Sequence, residues 1–483
     1  MIIYTIMLCA LQYVLFVDIS TSLQNQYYSI NRFFLLIKQS KKWVFKLAVI
    51  LLYIPLIEIN PFLCFWFCLY FVSFNKEKLV VTKRIIRHFI IFSVLLFVNF
   101  LLLVFFSLNK YVYLSFFYNI ALYWMSFAIS CLIEKLLQIR NIKKAKNKLK
   151  QYKPIIIGVT GSYGKTSCKN YLNTLLSSSF NVLMTPKSYN TLNGILLTIN
   201  KQLAPYHEIL IIEIGVDKPN GMNKFVKHFS FDIGVVTCIG KQHLKTFGSF
   251  EKIVIEKNKL LQKCKKFAIV NLDDKNVNIN NNKCEILSFS RLTNDADVLV
   301  NQAERNNLLI KIINNTYIVE SNIIGKHNLS NLACSICVAK ALNIEDDKII
   351  KLIPKIKNVD HRLSLSKRGN WIILDDSYNS NYAGFKNALE ELSKIENHIK
   401  IIITPGIIEK NKSTEKEELL IANMMNEICD LIILINDPSF KKYIKNFLSF
   451  NDFLSAYSYL KENYSNDKIA LLIENDLPKI FLR

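Results

Sequence analysis

The chain has 483 residues, which allow two or three domains, and it carries a formal net charge of +23. No nucleic-acid recognition motif accompanies this charge, so we expect no nucleic-acid partner. Attraction to anionic lipid headgroups and a general abundance of Lys and Asn explain the charge equally well. The 11 cysteines are scattered. Their one C-x-x-C pair, Cys334 and Cys337, lies in a helical pattern, so they indicate neither a zinc site nor an oxidising compartment.

Apolar residues are concentrated in the first part of the chain. A membrane-spanning helix needs about 20 apolar residues. Candidate spans lie at 1–17, 43–59, 61–75, 89–108 and 112–134. The second and third share a tight turn at Asn60–Pro61 and could instead form a re-entrant pair. The pattern predicts a multi-span α-helical membrane domain of about five helices over residues 1–137.

The loops between these candidate spans alternate in charge. Basic residues follow the first, third and fifth spans, whereas the opposite turns carry little charge. The basic residues are Arg32, Lys38, Lys41, Lys42, Lys76, Lys78, Lys83, Arg84, Arg87, Arg140, Lys143, Lys144, Lys146, Lys148 and Lys150. Because basic loops stay in the cytoplasm, we expect the N-terminus outside the cell and everything after Lys150 inside it.

The remainder of the chain has the pattern of an α/β protein. A basic, helix-prone connector occupies 138–153. From 154 to 358, apolar strand patterns alternate with helical ones, which predicts a doubly wound, mainly parallel sheet with ligands at the carboxyl ends of its strands. Within this domain, 284–324 predicts short antiparallel strands, and residues 359–483 predict a second α/β domain.

The segment GVTGSYGKTS at 158–167 predicts a nucleotide-binding loop, because an apolar strand pattern precedes it and a helical pattern follows. Gly161 and Gly164 permit a tight turn that directs backbone N–H groups at phosphate oxygens, and the helix N-terminus adds its dipole. Lys165 can then reach the outer phosphates, while the Thr166 hydroxyl can bind Mg²⁺.

Further motifs follow the loop in a characteristic order. They are TPKSYNTLNG at 185–194, ILIIEIG at 209–215, VTCIGKQHLKTFGS at 236–249, GKHNLSN at 325–331 and DDSYN at 375–379. With the loop, this series resembles the Mur ligase family, the ATP-dependent amide-bond ligases of peptidoglycan precursor synthesis. DDSYN is similar to the MurF branch, which joins D-Ala-D-Ala to a nucleotide-linked tripeptide. TPGIIE at 404–409 and ENDLP at 474–478 resemble a membrane-attached, MurF-like subgroup.

The resemblance covers about residues 152–483 and implies a role for each residue at a matching position. It implies a central P-loop ATPase domain followed by a Rossmann-like C-terminal α/β domain. The implied ATP-binding residues are Gly161, Ser162, Gly164, Lys165, Thr166, Ser167, Asn328, Asn331, Arg362 and Asp376. The implied catalytic residues are Lys165, Asn190, His243 and Lys257.

The resemblance also implies two Mg²⁺ sites. Thr166 and Glu213 would hold the first, and His243 with a carbamylated Lys257 would hold the second. An unmodified lysine is a cation that repels a metal, whereas its CO₂ adduct is a carboxylate-like ligand. Without the resemblance, the spacing of these residues would indicate only a solvated lysine at Lys257 and a structural loop histidine at His243.

The implied activity is ligation through an acyl phosphate. The enzyme would act at the cytoplasmic face of a bacterial cell membrane, on a UDP-linked or lipid-linked peptidoglycan precursor with D-Ala-D-Ala or an amino acid as acceptor. In place of the family's usual uridine-nucleotide-binding domain, the sequence shows only candidate spans and the connector, so the donor stays open. The alternatives are a membrane-anchored polyglutamate-type ligase and a regulatory or scaffold protein that binds ATP without ligation.

Overall fold

The computed structural model describes residues 16–17, 19–24, 80–105, 112–278, 284–303, 307–378, 381–407, 415–436 and 440–475. They belong to two compact units, Met1–Arg140 and Asn141–Arg483. The candidate spans at 43–59 and 61–75, and nearly all of the one at 1–17, lie outside the described residues.

The first unit contains helix α1 (Lys83–Phe105) and most of helix α2 (Val112–Tyr152). Aromatic side chains join the two helices, since Phe92 and Tyr123 pack with Phe16. Other large apolar side chains of both helices face outward, and they include Phe89, Ile90, Val94, Phe97, Val98, Leu101, Leu102, Met125, Ile129, Leu132, Leu136 and Ile139.

In helix α2, the fifth candidate span and the basic, helix-prone connector form one unbroken helix. Among the residues that the structure describes, one helical stretch, Ala121–Tyr152, is long and apolar enough to cross a membrane by length and composition. The multi-span membrane domain stays a prediction.

The second unit begins with the C-terminal end of α2 and contains two α/β domains. The central domain comprises β1 (Ile155–Thr160), α3 (Lys165–Leu176), β2 (Val182–Met184), α4 (Leu192–Gln202), β3 (Ile209–Glu213), α5 (Asn223–Val226), β4 (Ile233–Val236), α6 (Leu244–Phe247), α7 (Phe250–Lys263), β5 (Phe267–Asn271), β6 (Glu285–Ser290), β7 (Val298–Gln302), β8 (Asn307–Ile312), β9 (Asn315–Glu320), α8 (Lys326–Ala341) and α9 (Asp346–Leu352).

The strands of the central domain form one nine-stranded sheet in the order β2-β3-β1-β4-β5-β6-β7-β8-β9. Its main part is parallel, as predicted, and β1 lies between β3 and β4. The expectation of antiparallel strands throughout 284–324 was wrong, because β6 pairs parallel with both β5 and β7. Only β7–β8 and β8–β9 are antiparallel.

Helices cover both faces of this sheet, which explains why its inner strands are apolar without alternation. Cys168 and Leu172 of α3 pack with Ile336 of α8 in one core, which also contains Cys334 and Cys337. Ile195 of α4 and Leu260 of α7 belong to the core on the other face. The basic end of α2 joins that second layer through buried Ala145, and the Lys148 ammonium donates to the Leu203 carbonyl at 2.8 Å.

The C-terminal domain contains β10 (Ser364–Arg368), β11 (Trp371–Asp376), α10 (Tyr382–Ser393), β12 (Ile399–Thr404), α11 (Glu415–Ile428), β13 (Leu431–Ile435), β14 (Leu448–Phe450), α12 (Phe453–Asn463) and β15 (Ile469–Glu474). Its six-stranded sheet has the order β10-β11-β15-β12-β13-β14. All neighbouring pairs from β11 to β14 are parallel, and only β10 runs antiparallel to its neighbour.

Candidate functional site

The predicted phosphate loop connects β1 to α3 at the carboxyl edge of the central sheet. Gly164 has a φ of 79°, a left-handed conformation that favours glycine, and a Cβ there would overlap the Asn331 carboxamide. The Ser162 backbone N–H donates to the Cys238 carbonyl at 2.8 Å, and its hydroxyl accepts from the Gly240 N–H at 2.8 Å. The segment after β4 therefore fixes the loop.

Lys165 begins α3, and its side chain folds back over the loop. The ammonium donates to the Gly161 carbonyl at 2.9 Å and the Ser162 carbonyl at 3.1 Å. Burial lowers the pKa of Lys165, with a smaller lowering by the charge of Arg362, while Glu213 acts in the opposite direction. Thr166 and Ser167 follow in the first turn of the helix. The loop thus collects positive charge and N–H donors at a helix N-terminus, which suits phosphate.

The Glu213 carboxylate lies at the end of β3, where it is 1% exposed. The Thr166 hydroxyl is 3.1 Å from its Oε2 and 3.2 Å from its Oε1. The Asn190 amide donates to Oε1 at 3.3 Å, and Asn190 also accepts the Gly215 N–H through its backbone carbonyl at 2.8 Å. The structure therefore brings together three predicted residues from three segments, and a hydroxyl beside a carboxylate fits Mg²⁺, which prefers oxygen ligands.

The prediction missed Lys169, which forms an ion pair with this same carboxylate. Its ammonium is 3.0 Å from Glu213 Oε2, and the two side chains are each 1% exposed. Lys169 follows Lys165 by one helical turn on α3, but its partner is 44 positions away along the chain, so the sequence alone carried no signal for this ion pair.

Lys257 lies on α7 and reaches the phosphate loop. It is 2% exposed, and its ammonium donates to the Gly161 carbonyl at 2.9 Å. Burial, followed by repulsion from Lys165, lowers its pKa to about 7. The prediction from spacing alone, a solvated lysine on the helix surface, does not describe this environment.

His243 occupies the residue before α6 with a φ of 59°, so its backbone is left-handed. The Phe247 N–H donates to its carbonyl at 3.1 Å. Throughout the described part of the chain, no group of three or more His, Cys, Asp and Glu side chains could hold a metal ion. A second metal site with His243 therefore needs a ligand other than a His, Cys, Asp or Glu side chain, such as a carbamylated Lys257.

Asn328 and Asn331 lie near the start of α8 and are buried. Asn331 contacts the loop at Gly164 and donates to the Asn328 carboxamide oxygen at 3.4 Å. Asn328 in turn donates to the Ile324 carbonyl at 2.9 Å. The structure thus joins the start of α8 to the phosphate loop, while the adenine contact stays a prediction.

Arg362 brings the start of the C-terminal domain to the site. Its guanidinium lies 4.0 Å above the Tyr378 ring. The flanking residues His361 and Leu363 are both left-handed, with φ values of 62° and 53°. The Asp376 carboxylate accepts the Leu363 N–H at 3.1 Å, which holds this strained segment. Asp376 therefore positions the chain beside Arg362. Its contact with the ribose stays a prediction.

Comparison with known proteins identifies the class of this fold and site. Residues 159–339 match the Mur ligase middle domain. The MurF ligase of Thermotoga maritima in complex with ADP is similar in fold, with a TM-score of 0.63 and 22% identity over 70% of this chain and 80% of that one. MurF from Acinetobacter baumannii has a TM-score of 0.62 and 20% identity over 70% of this chain and 77% of its own. The chain therefore resembles the Mur ligases, through the middle-domain match over residues 159–339 and through the fold that it shares with MurF structures.

The relatives that are similar in sequence include MurF-type ligases as well. The UDP-N-acetylmuramoyl-tripeptide--D-alanyl-D-alanine ligase of Bacillus subtilis is 27% identical over 54% of this chain and 58% of its own length. The ligase of the same name from Rickettsia prowazekii is 24% identical over 65% of this chain and 73% of its own. The chain thus spans less than two thirds of the Bacillus subtilis relative.

Proposed function

We propose that this chain is an ATP-dependent amide ligase that adds D-Ala-D-Ala to a peptidoglycan precursor peptide. The observation that carries the proposal is the site around the phosphate loop, where Lys165, Thr166 and Glu213 meet within a Mur ligase middle domain. MurF relatives with the named activity support the choice of substrates. A nucleotide in this site is also supported by the fold similarity to a MurF ligase in complex with ADP.

The reaction joins a carboxylate to an amine, so the carboxylate oxygen must first become part of a better leaving group. The donor carboxylate attacks the γ-phosphorus of ATP, an O–P bond forms, and the bond to the β-phosphate oxygen breaks to release ADP. The acceptor amine then attacks the carbonyl carbon, loses a proton and expels phosphate. Both steps bring anions together, which requires concentrated positive charge.

The residues of the site can supply this charge. Lys165 would leave the loop carbonyls and contact the outer phosphates of ATP, and Arg362 would add a second cation from the C-terminal domain. The Thr166 hydroxyl and the Glu213 carboxylate would hold Mg²⁺, which neutralises charge on the β- and γ-phosphates when bound. Because Arg362 comes from the other domain, domain closure would form part of the catalytic cycle.

Lys257 would act as a ligand to a second Mg²⁺ together with His243, after reaction of its amine with CO₂. Only a neutral amine attacks CO₂, and the buried position of Lys257 beside Lys165 favours that neutral form. The side chain lies at the phosphate loop, where its ammonium donates to the Gly161 carbonyl at 2.9 Å.

We also propose that the first unit anchors the enzyme in the membrane as a multi-pass domain, with the ligase domains in the cytoplasm. The outward-facing apolar side chains of α1 and α2 support this proposal, because a soluble domain rarely exposes so much apolar surface. The basic residues from Arg140 to Lys150 on α2 would then lie at the cytoplasmic headgroups. The donor could be UDP-linked or lipid-linked.

An oxygen-transfer experiment tests the proposed chemistry. Precursor with ¹⁸O in its terminal carboxylate should transfer one ¹⁸O atom per turnover into inorganic phosphate, as detected by mass spectrometry. An ATPase or a nucleotide-binding scaffold would release phosphate without this label. If the chain used glutamate as the acceptor in place of D-Ala-D-Ala, the result would instead support a polyglutamate-type ligase.

A further inference from the structure

The side chain of Lys169 joins three segments of the central domain. It extends from α3, is buried, and forms the 3.0 Å ion pair with Glu213 Oε2 at the end of β3. Its ammonium also donates to the carbonyl of Lys187, in the segment between β2 and α4 that contains Asn190. Asn190 donates to the other carboxylate oxygen of Glu213 at 3.3 Å. Lys169 thus fixes Glu213 directly and also holds the segment that carries Asn190.

We infer that Lys169 is a positioning residue for the metal site: it fixes the orientation of the Glu213 carboxylate beside the Thr166 hydroxyl. The inference rests on the proposed function, because it requires a divalent cation at Glu213. Lys169 is not a temporary substitute, which would be a cation that pairs with Glu213 in the metal-free chain and leaves when the metal binds. Its ammonium is fully buried and held by two acceptors, so departure when the metal binds would leave a buried charge without compensation.

The alternative roles make opposite predictions for metal affinity. Loss of a positioning residue frees the carboxylate to rotate and weakens metal binding. Loss of a temporary substitute removes a competing cation and strengthens it. Removal of a partner that orients a metal ligand typically costs 10-fold to 100-fold in affinity. For Lys169→Met, we therefore expect the Mn²⁺ dissociation constant in the presence of ADP to rise by about 10-fold or more.

Electron paramagnetic resonance of free Mn²⁺ measures this constant without any ligation step. The full chain would be titrated with Mn²⁺ and ADP as wild type, Lys169→Met and a control, Lys340→Met. Lys340 forms a 2.6 Å ion pair with Asp346, away from the phosphate loop, so its loss should leave Mn²⁺ affinity unchanged. Equal or tighter Mn²⁺ binding by Lys169→Met would overturn the inference.

A second pair of variants separates positioning from general damage to the fold. Lys169→Met leaves the Glu213 carboxylate buried without its cation, whereas the double variant Lys169→Met/Glu213→Gln leaves no charge. If Lys169 acts through Glu213, the double variant should bind Mn²⁺ as weakly as Glu213→Gln alone. An additional loss in the double variant would show that Lys169 acts by another route. Lys169→Arg keeps the charge and should recover part of the affinity.

The same titration distinguishes this inference from the proposed function. A wild-type chain that binds Mn²⁺ with ADP yet forms no amide product would contradict the ligase activity and leave the role of Lys169 intact. Equal Mn²⁺ affinities in wild type and Lys169→Met would contradict the role of Lys169 and leave the ligase activity intact. A wild-type chain that binds no Mn²⁺ with ADP would contradict this inference.

Discussion

Carbamate formation should occur at Lys257 at a pH where ordinary lysines do not react. Burial and Lys165 together lower the pKa of Lys257 to about 7, so the charged form is lost as the pH rises through this value. At pH 8, about nine tenths of this amine would be neutral, against roughly 0.3% of a lysine with an unperturbed pKa. The neutral fraction at Lys257 therefore exceeds that of a surface lysine by a factor of about 300.

Carbon-13 nuclear magnetic resonance with labelled bicarbonate can observe this carbamate directly. We expect a carbamate resonance in the wild-type chain that grows as the pH rises from 6 to 8 at constant dissolved CO₂. It should be absent from Lys257→Met and present in Lys252→Met, which removes an exposed lysine from the same helix. A resonance that persists in Lys257→Met, or that appears only above pH 9, would refute the argument.

Three further predictions concern the phosphate loop and the membrane topology. Lys165→Ala should lower turnover by about 100-fold or more, because it removes a charge needed during phosphoryl transfer, and steady-state ADP release measures this. Gly164→Ala should weaken ATP binding, as measured by calorimetry, because its Cβ would overlap the Asn331 carboxamide. The control Gly369→Ala has a φ of 59° and nothing within 4 Å of its added Cβ, so it should leave ATP binding unchanged. A reporter fused after Lys150 should be cytoplasmic and one near Lys110 external. Near-wild-type turnover of Lys165→Ala would contradict the first prediction, and unchanged ATP affinity of Gly164→Ala would contradict the second. An external reporter after Lys150 would contradict the third.

The central part of the site was predictable because chain order and strand type determine it. Parallel strands bring their carboxyl ends to one edge, so the loop after β1 and Glu213 at the end of β3 had to be neighbours. Asn190 reached the same carboxylate through the segment after β2. The apolar strand patterns therefore predicted the mainly parallel sheet, and the resemblance to the Mur ligase family implied that Thr166, Asn190 and Glu213 belong to one site.

Other features depend on contacts that a single sequence does not reveal. Short apolar segments such as β6 have the same composition in parallel and antiparallel pairs, so its direction was predicted wrongly. Lys169 looked like an ordinary helical lysine, because its role depends on a carboxylate 44 positions away along the chain. The burial of Lys257 arises from the packing of α7 against the phosphate loop. The roles of His243 and Asn328 stay predictions.

The central claim is that ATP turnover by this chain makes an amide bond. The most direct test supplies the purified full chain with ATP, Mg²⁺, UDP-N-acetylmuramoyl-tripeptide or its lipid-linked form, and D-Ala-D-Ala, and follows the products by mass spectrometry. The proposal predicts a peptide extended by D-Ala-D-Ala with one ADP per product, in amounts that fall with Lys165→Ala. ATP hydrolysis that does not depend on an amine acceptor, with no extended peptide from either donor, would contradict it.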